Sequence, residues 1–284
     1  MEITCIYGLR AGTANIYISH ENAEDYYSLN CSYYVTNVCV PKRDYRALLI
    51  GNRYSGTDDE LSSTDNDMSA MWDMLNSMEK TEYDVTARYD LKGEEMRTII
   101  MEHFEDADVN DVSLIFVFVH GNPKEGPSLG GLTGTDKFAL NPIVLKEACD
   151  YITGKKIMLL GSCHSGAHIG KDLSSGVTIE QTLANEGYYV LAAAHSTESA
   201  LELTKEKRSL FTYWLCYGSG FDEMNDVELD SMPADANGNG EITLKECYDY
   251  VYAHVLEESE EKTLANDQHV QVYPENSDFV LWAK

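Results

Sequence analysis

Two residues able to act together in covalent chemistry each follow a short apolar run. Cys163 lies in Gly161-Ser162-Cys163-His164-Ser165-Gly166, directly after Lys155-Lys156-Ile157-Met158-Leu159-Leu160. His120-Gly121 follows Ser113-Leu114-Ile115-Phe116-Val117-Phe118-Val119. Runs of this kind make buried strands. In an open parallel sheet the carboxyl ends of the strands form the ligand crevice, so both side chains are expected there. A thiol and an imidazole brought together make a nucleophile and its base. Taken singly, each residue has a plainer explanation. A cysteine after an apolar run is usually a small buried hydrophobe, and a histidine in a glycine turn is usually solvated or bonded to backbone. Their joint placement at two strand ends, among small residues that let a peptide approach, points to catalysis. His164 is set aside, because neighbouring side chains leave an extended chain in opposite directions.

A second constellation runs from Asp235 to Glu246 and satisfies the calcium-loop pattern D-x-[DN]-x-[DN]-G-x5-E without a gap. Oxygens of Asp235, Asn237, Asn239, the Glu241 carbonyl, Thr243 and Glu246 are the expected Ca²⁺ ligands, with Gly240 making the sharp turn. The competing reading is an Asn-Gly turn that caps the following helix. Two obvious carboxylate ligands predict modest affinity, at the weak end of the range for such loops. Pro233 and the polar stretch before it argue against a full helix–loop–helix, so a lone structural loop is expected. No organic cofactor is indicated.

The elements that must position these residues follow in order. Residues 1–44 are rich in Tyr, Asn, Ser and Thr and contain alternating stretches such as Asn15-Ile16-Tyr17-Ile18 and Tyr33-Tyr34-Val35-Thr36. They read as a strand-forming N-terminal extension. From residue 45 to 284 strands and helices alternate. Tyr45–Ile50 is a buried strand, and Met68, Met71, Trp72, Leu75 and Met78 mark one helix face, capped by Ser63 or Thr64. Tyr83–Tyr89 is a strand, and Met96, Ile99, Ile100 and Phe104 mark another helix. Gly130-Gly131-Leu132-Thr133-Gly134 suggests a hairpin, and Pro142–Tyr151 a helix. Beyond the cysteine, Ile179–Ala184 predicts a helix and Tyr188–Ala194 a strand. Helices are expected again near Leu210–Tyr217 and Leu244–Leu256, and an edge strand at Asp278–Trp282. This order specifies an α/β fold with a mostly parallel sheet and helices on both faces.

Composition narrows the partners. The 284 residues suffice for one large domain with an extension, and the net charge of -27 opposes binding to nucleic acid or an anionic membrane. It favours cationic ligands instead. No apolar run reaches membrane-spanning length, and Met1-Glu2-Ile3-Thr4-Cys5 lacks the basic-then-apolar pattern of a signal peptide. Localisation is left open, secretion included. The seven cysteines form no CxxC pair and no zinc-like cluster, and their odd number leaves at least one thiol free. Cys149, Cys216 and Cys247 fall in helical patterns and are expected in the core.

From about Tyr45 onward the chain resembles the caspase-like cysteine peptidases, nearest to the metacaspases and their bacterial relatives. The matching pieces are Ala47-Leu48-Leu49-Ile50-Gly51, Asn66-Asp67 at the first helix, His120-Gly121 and Cys163-His164-Ser165-Gly166, with Leu210-Phe211-Thr212-Tyr213 and the late Asp-Asn-Gly-rich run downstream. The resemblance implies a caspase-like three-layer sandwich and a cysteine endopeptidase acting on proteins or peptides. Cys163 would attack the scissile carbonyl, His120 would protonate the leaving amine, and the N–H groups of Gly121 and Cys163 would hold the oxyanion. It further implies a preference for Arg or Lys before the scissile bond, with Asp67 in the pocket, and self-cleavage near Lys171 or Lys205-Glu206-Lys207-Arg208. Two departures touch that pocket. Gly161 stands where metacaspases carry an aspartate two residues before the nucleophile. Val117-Phe118-Val119 stands where they carry a small polar residue and a glycine. A non-catalytic scaffold that binds peptide or calcium, and a peptide ligase or transamidase using the same dyad, are the alternative functions.

Overall fold

In the computed structural model, which describes residues 13–18, 27–32, 43–171, 176–262 and 267–284, the chain divides into two units, Met1–Lys42 and Arg43–Lys284. In the first unit β1 (Thr13–Ile18) pairs antiparallel with β2 (Tyr27–Ser32), Thr13 opposite Ser32 and Ile18 opposite Tyr27. The alternating stretch Tyr33–Thr36 lies outside the described residues.

The second unit is organised by a parallel sheet. Its elements begin β3 (Tyr45–Gly51), α1 (Thr64–Asn76), β4 (Tyr83–Tyr89), α2 (Gly93–His103) and β5 (Val112–Phe118). A small hairpin, β6 (Leu132–Thr133) and β7 (Ala139–Leu140), leads to α3 (Pro142–Asp150), β8 (Lys155–Leu160) and β9 (Tyr188–Ala192). Then come the hairpin β10 (Glu202–Leu203) and β11 (Arg208–Ser209), α4 (Leu210–Gly218), and the pair β12 (Phe221–Asp222) and β13 (Val227–Glu228). The chain finishes with β14 (Glu241–Thr243), α5 (Leu244–Glu261), β15 (Gln271–Tyr273) and β16 (Val280–Ala283). The main sheet has the order β15-β9-β8-β5-β3-β4, parallel except for β15.

Alternation along each strand sorts the core into two layers, because successive side chains leave opposite faces. Leu49, Phe116 and Leu159 pack with Met71 and Met74 of α1, Phe211 of α4 and Val251 of α5. Ile50, Val117 and Leu160 pack with Met96 and Ile100 of α2 and Leu145 of α3. Both faces are covered, so every residue of β5 is buried, and its sequence runs apolar from Leu114 to Phe118. This is the three-layer α/β sandwich expected from the strand-helix alternation. Cys149, Cys216 and Cys247 are fully buried within it.

Two expectations change. Ile179–Ala184 forms only a 3-10 turn, Ile179–Gln181. The Thr182 hydroxyl donates to the Ile179 carbonyl at 2.7 Å and the Asn185 amide to the Thr182 carbonyl at 2.7 Å; these side chains take carbonyls that a helix would need. The tail strand does not edge the main sheet but pairs with β14, Ile242 opposite Trp282. That edge is taken instead by β15, three residues too short to show a period in sequence.

Candidate active site

β5 and β8 are adjacent and in register, Val117 beside Leu160, so the segments that leave their carboxyl ends are neighbours. His120 and Cys163 both line one cleft of about 780 Å³, together with Gly121, Tyr54, Asp59 and His164. In this site backbone approaches backbone closely. A Cβ built on Gly121 would lie 1.7 Å from the carbonyl oxygen of Cys163 and 2.6 Å from its carbonyl carbon. Only glycine fits, and its lack of a side chain is what lets the histidine segment rest on the cysteine segment. Asn122 N–H donates to Gly131 and Thr133 N–H to His120. Gly121 is bridged to Leu132 between those bonds, which directs the Gly121 N–H out of the ladder. Neither that N–H nor the one of Cys163 has a hydrogen-bond partner among the described residues.

His120 is held on three sides. Its Nε2 lies 2.6 Å from the carbonyl oxygen of Asp59. A carbonyl only accepts, so Nε2 carries the proton and Nδ1 is the basic nitrogen. The His120 N–H donates to the Tyr54 hydroxyl at 3.2 Å, and that hydroxyl donates to the Thr133 carbonyl at 2.5 Å. The Tyr54 ring lies against the imidazole with centroids 4.7 Å apart. Burial pushes the Tyr54 phenol up to about 12, so it stays a neutral donor at ordinary pH. Tyr54 and Asp59 were not among the residues singled out in sequence. Their only sequence signal is position, in the loop after the first buried strand at the carboxyl end of the sheet.

Cys163 is partly exposed, and its thiol points at the Ala200 carbonyl, 3.7 Å away. His164 turns aside because its backbone is left-handed, φ 58°, rather than extended. Its Nδ1 lies 2.9 Å from the Ser196 carbonyl, a bond that anchors the turn after the nucleophile. Below this turn His168 is fully buried, with Nε2 donating to the Gly130 carbonyl at 2.8 Å. Burial lowers its pKa to about 4, so it serves the loop as a neutral imidazole.

Asp67 is not on the cleft surface. It is fully buried in the first turns of α1, and its Oδ1 accepts the Ser209 N–H at 3.1 Å. Its Oδ2 has no hydrogen-bond partner among the described residues. Burial raises its pKa above the usual carboxylate range, opposed by the Ser209 hydrogen bond. Glu223 is raised for the same reason, with the Asp67 charge adding to it. The basic run expected to be open to cleavage is also partly closed. Arg208 is buried, paired with Glu258 at 2.6 Å and Glu206 at 2.9 Å, and its guanidinium lies 4.0 Å from the Tyr213 ring centroid. Lys205 and Lys207 remain exposed.

The Asp235–Glu246 loop folds around its own oxygens. Asp235 accepts N–H groups of Gly238 at 2.8 Å, Asn239 at 3.2 Å and Gly240 at 2.8 Å. The Asn237 amide donates to Glu246 Oε1 at 2.7 Å, and Asn239 Oδ1 accepts the Glu241 N–H at 2.8 Å. Thr243 N–H donates to Glu246 Oε2 at 3.1 Å, and Glu246 N–H returns a bond to the Thr243 hydroxyl at 3.2 Å, closing a capping box on α5. Asn237 and Glu246 therefore meet across the loop, and Gly238 and Gly240 take the left-handed backbone, φ 71° and 79°, that the turn needs. These donors fit a hard, oxygen-seeking cation. Among the described residues no cluster of three or more His, Cys, Asp or Glu side chains is placed to share a metal, so amide and carbonyl oxygens would have to complete the shell.

The sequence profile of the caspase domain matches residues 44–280. The chain belongs to the caspase-domain family. Members of that family are cysteine peptidases, which act on proteins. Among solved structures, the crystal structure of caspase-1 from Spodoptera frugiperda superimposes with a TM-score of 0.54 at 15% identity, covering 81% of this chain and 86% of the insect protein. That likeness is one of fold. No curated protein matches the sequence. Among the described residues of this caspase-domain chain, no helix is long and apolar enough to cross a membrane.

Proposed function

We propose that this caspase-domain chain is a cysteine endopeptidase in which Cys163 and His120 form the catalytic dyad. The observation that carries the reading is the packing of Gly121 onto the Cys163 carbonyl, which sets thiol and imidazole in one cleft. His120 Nδ1 takes the thiol proton, and the sulfur attacks the scissile carbonyl carbon. The carbonyl oxygen becomes an oxyanion, for which the N–H groups of Gly121 and Cys163, unpaired among the described residues, are the available donors. The imidazolium then gives its proton to the leaving amine, and a thioester remains. Water adds with His120 as base, and the thiol is restored as the carboxylate product leaves. The Asp59 carbonyl holds the imidazole in the tautomer this requires.

Two finer readings accompany it. Substrates carry Arg or Lys before the scissile bond, attracted by carboxylates near the nucleophile and by the net charge of -27. The loop of Asp235, Asn237, Asn239, Glu241, Thr243 and Glu246 holds Ca²⁺, whose contribution when bound is to stiffen the start of α5.

The test is a peptide library digested by wild type and by Cys163→Ala and analysed by mass spectrometry. The wild type is expected to cut after basic residues and to lose all turnover in the variant. Cleavage retained by Cys163→Ala would remove the assignment.

A further inference from the structure

The turn that carries Cys163 rests on the segment 193–201, which links β9 to β10. It does so at three points. The His164 N–H donates to the Glu198 carbonyl at 2.8 Å, His164 Nδ1 lies 2.9 Å from the Ser196 carbonyl, and the Cys163 thiol points at the Ala200 carbonyl, 3.7 Å away. We propose that Glu198 is a positioning residue for the nucleophile: its carboxylate, gripped by His269, fixes the segment on which the Cys163 turn rests. The inference rests on the peptidase reading above and adds to it a residue that acts through the backbone of the nucleophile turn.

Three observations carry it. First, both carboxylate oxygens of Glu198 are engaged. Oε1 accepts from His269 Nδ1 at 2.8 Å. Oε2 accepts the N–H groups of His269 at 2.9 Å and of His195 at 3.3 Å. A carboxylate only accepts, so His269 Nδ1 carries a proton. The Glu198 N–H in turn donates to the His195 carbonyl at 3.0 Å. One side chain thus closes a turn in the segment and ties that turn to residue 269, two positions before β15.

Second, the neighbour of His269 holds the two ends of the same segment. Gln268 is fully buried, its amide donates to the Ala193 carbonyl at 2.8 Å, and its Oε1 accepts the Leu201 N–H at 2.7 Å. The Gln268 N–H donates to the Ser259 hydroxyl of α5 at 3.1 Å, and Val270 is fully buried. The grip on Glu198 is therefore anchored to α5 and the core. A supporting group is only as precise as what holds it.

Third, the nucleophile turn needs an outside hold. His164 has φ 58°, a backbone conformation that residues other than glycine rarely adopt and that persists where the surroundings fix it. Its N–H and its ring are both taken by the segment. Two residues on, the Gly166 N–H donates to the Ala194 carbonyl at 2.9 Å, and a Cβ on Gly166 would lie 2.9 Å from the Ser196 nitrogen. The contact is backbone against backbone, so a shift of the segment passes to Cys163 and is not absorbed by a side chain.

The experiment measures kcat and KM on a peptide library, per active site titrated through Cys163, with the rate of Cys163 alkylation by iodoacetamide and a melting curve. The variants are Glu198→Ala, Glu198→Gln, His269→Ala and His269→Asn, the last placing an amide nitrogen near the position of Nδ1. In Glu198→Ala kcat is expected to fall about ten-fold or more while KM stays within about three-fold, and the alkylation rate to change about three-fold or more. The amide oxygen of Glu198→Gln can still accept the two backbone N–H groups, so that variant is expected to recover most of the loss, as is His269→Asn relative to His269→Ala. A role confined to stability would lower the melting temperature and the number of titratable sites and leave kcat per site unchanged. Unchanged kcat and alkylation per site in Glu198→Ala, or an equal loss in every variant, would overturn the inference. If Glu198→Ala does not fold, His269→Ala carries the same test with the same two outcomes. If the wild type cleaves nothing in the library, the peptidase reading falls, and the alkylation rates alone decide whether Glu198 positions Cys163.

Discussion

Replacing Gly121 by alanine tests the geometry on which the site depends. The new methyl would start 1.7 Å from the Cys163 carbonyl oxygen and 3.1 Å from its Cα. Neither neighbour is the movable end of a side chain; both belong to the turn that carries the nucleophile. To reach an ordinary contact the two segments must part by more than about 1 Å, since non-bonded heavy atoms settle near 3.5–4.0 Å. A displacement of about 1 Å at a reacting centre costs about a hundred-fold in rate. Overpacking of this kind also costs about 1–3 kcal/mol in stability. For a domain of this size that lowers Tm by about 2–4 °C per kcal/mol. The assay is kcat/KM on an arginine peptide, normalised by active-site thiol titration, beside calorimetric melting. We expect kcat/KM to fall at least about a hundred-fold while the protein still melts cooperatively. A variant with kcat/KM within three-fold of wild type, or with an unchanged Tm, would show that the Gly121–Cys163 contact is not tight in solution.

Three further outcomes are expected. Asp67 is buried against Ser63, Ser209, Glu202 and Glu223, and its folded pKa lies above the unfolded value. The folded state therefore keeps a proton that the unfolded state has lost, so stability is lost as pH rises from the ordinary carboxylate range through the raised value. Asp67→Asn should flatten that decline in melts run between about pH 4 and 8, and an equally steep slope in the variant would refute it. Ca²⁺ should raise Tm through the Asp235–Glu246 loop, by about 2.7 kcal/mol of stability at a hundred times Kd; Glu246→Gln should abolish the response, and a response that persists would place the cation elsewhere. If the chain cuts itself, the new termini should follow Lys171, Lys205 or Lys207 and not the buried, doubly paired Arg208, and should be missing from Cys163→Ala; N-terminal sequencing decides, and fragments ending at Arg208 would contradict the packing.

What depends on local pattern was legible in the order of residues alone. Apolar runs at Ala47–Ile50, Leu114–Phe118 and Ile157–Leu160 marked β3, β5 and β8, because the middle of a strand covered on both faces is apolar at successive positions. Three- and four-residue spacing marked α1 and α2, and the oxygen-bearing positions between Asp235 and Glu246 marked a loop whose hydrogen bonds are mostly among its own residues. The strand ends also placed His120 and Cys163 at the same edge of the sheet. What lay beyond the sequence is whatever depends on partners far along the chain. That Asp67 sits behind Ser209, 142 residues later, follows from the docking of the β10–β11 hairpin against α1. That Glu202 lines the same small recess as Cys163 follows from its bonds to Ser62 and Ser63, about 140 residues earlier. Tyr54 and Asp59 became parts of the site only when their loop closed over His120. The helix expected at Ile179–Ala184 was lost to side-chain hydrogen bonds, and β15 won the sheet edge by pairing with β9. Periodicity reports which face of an element is buried, while the identity of the neighbour across that face is settled only when distant segments pack.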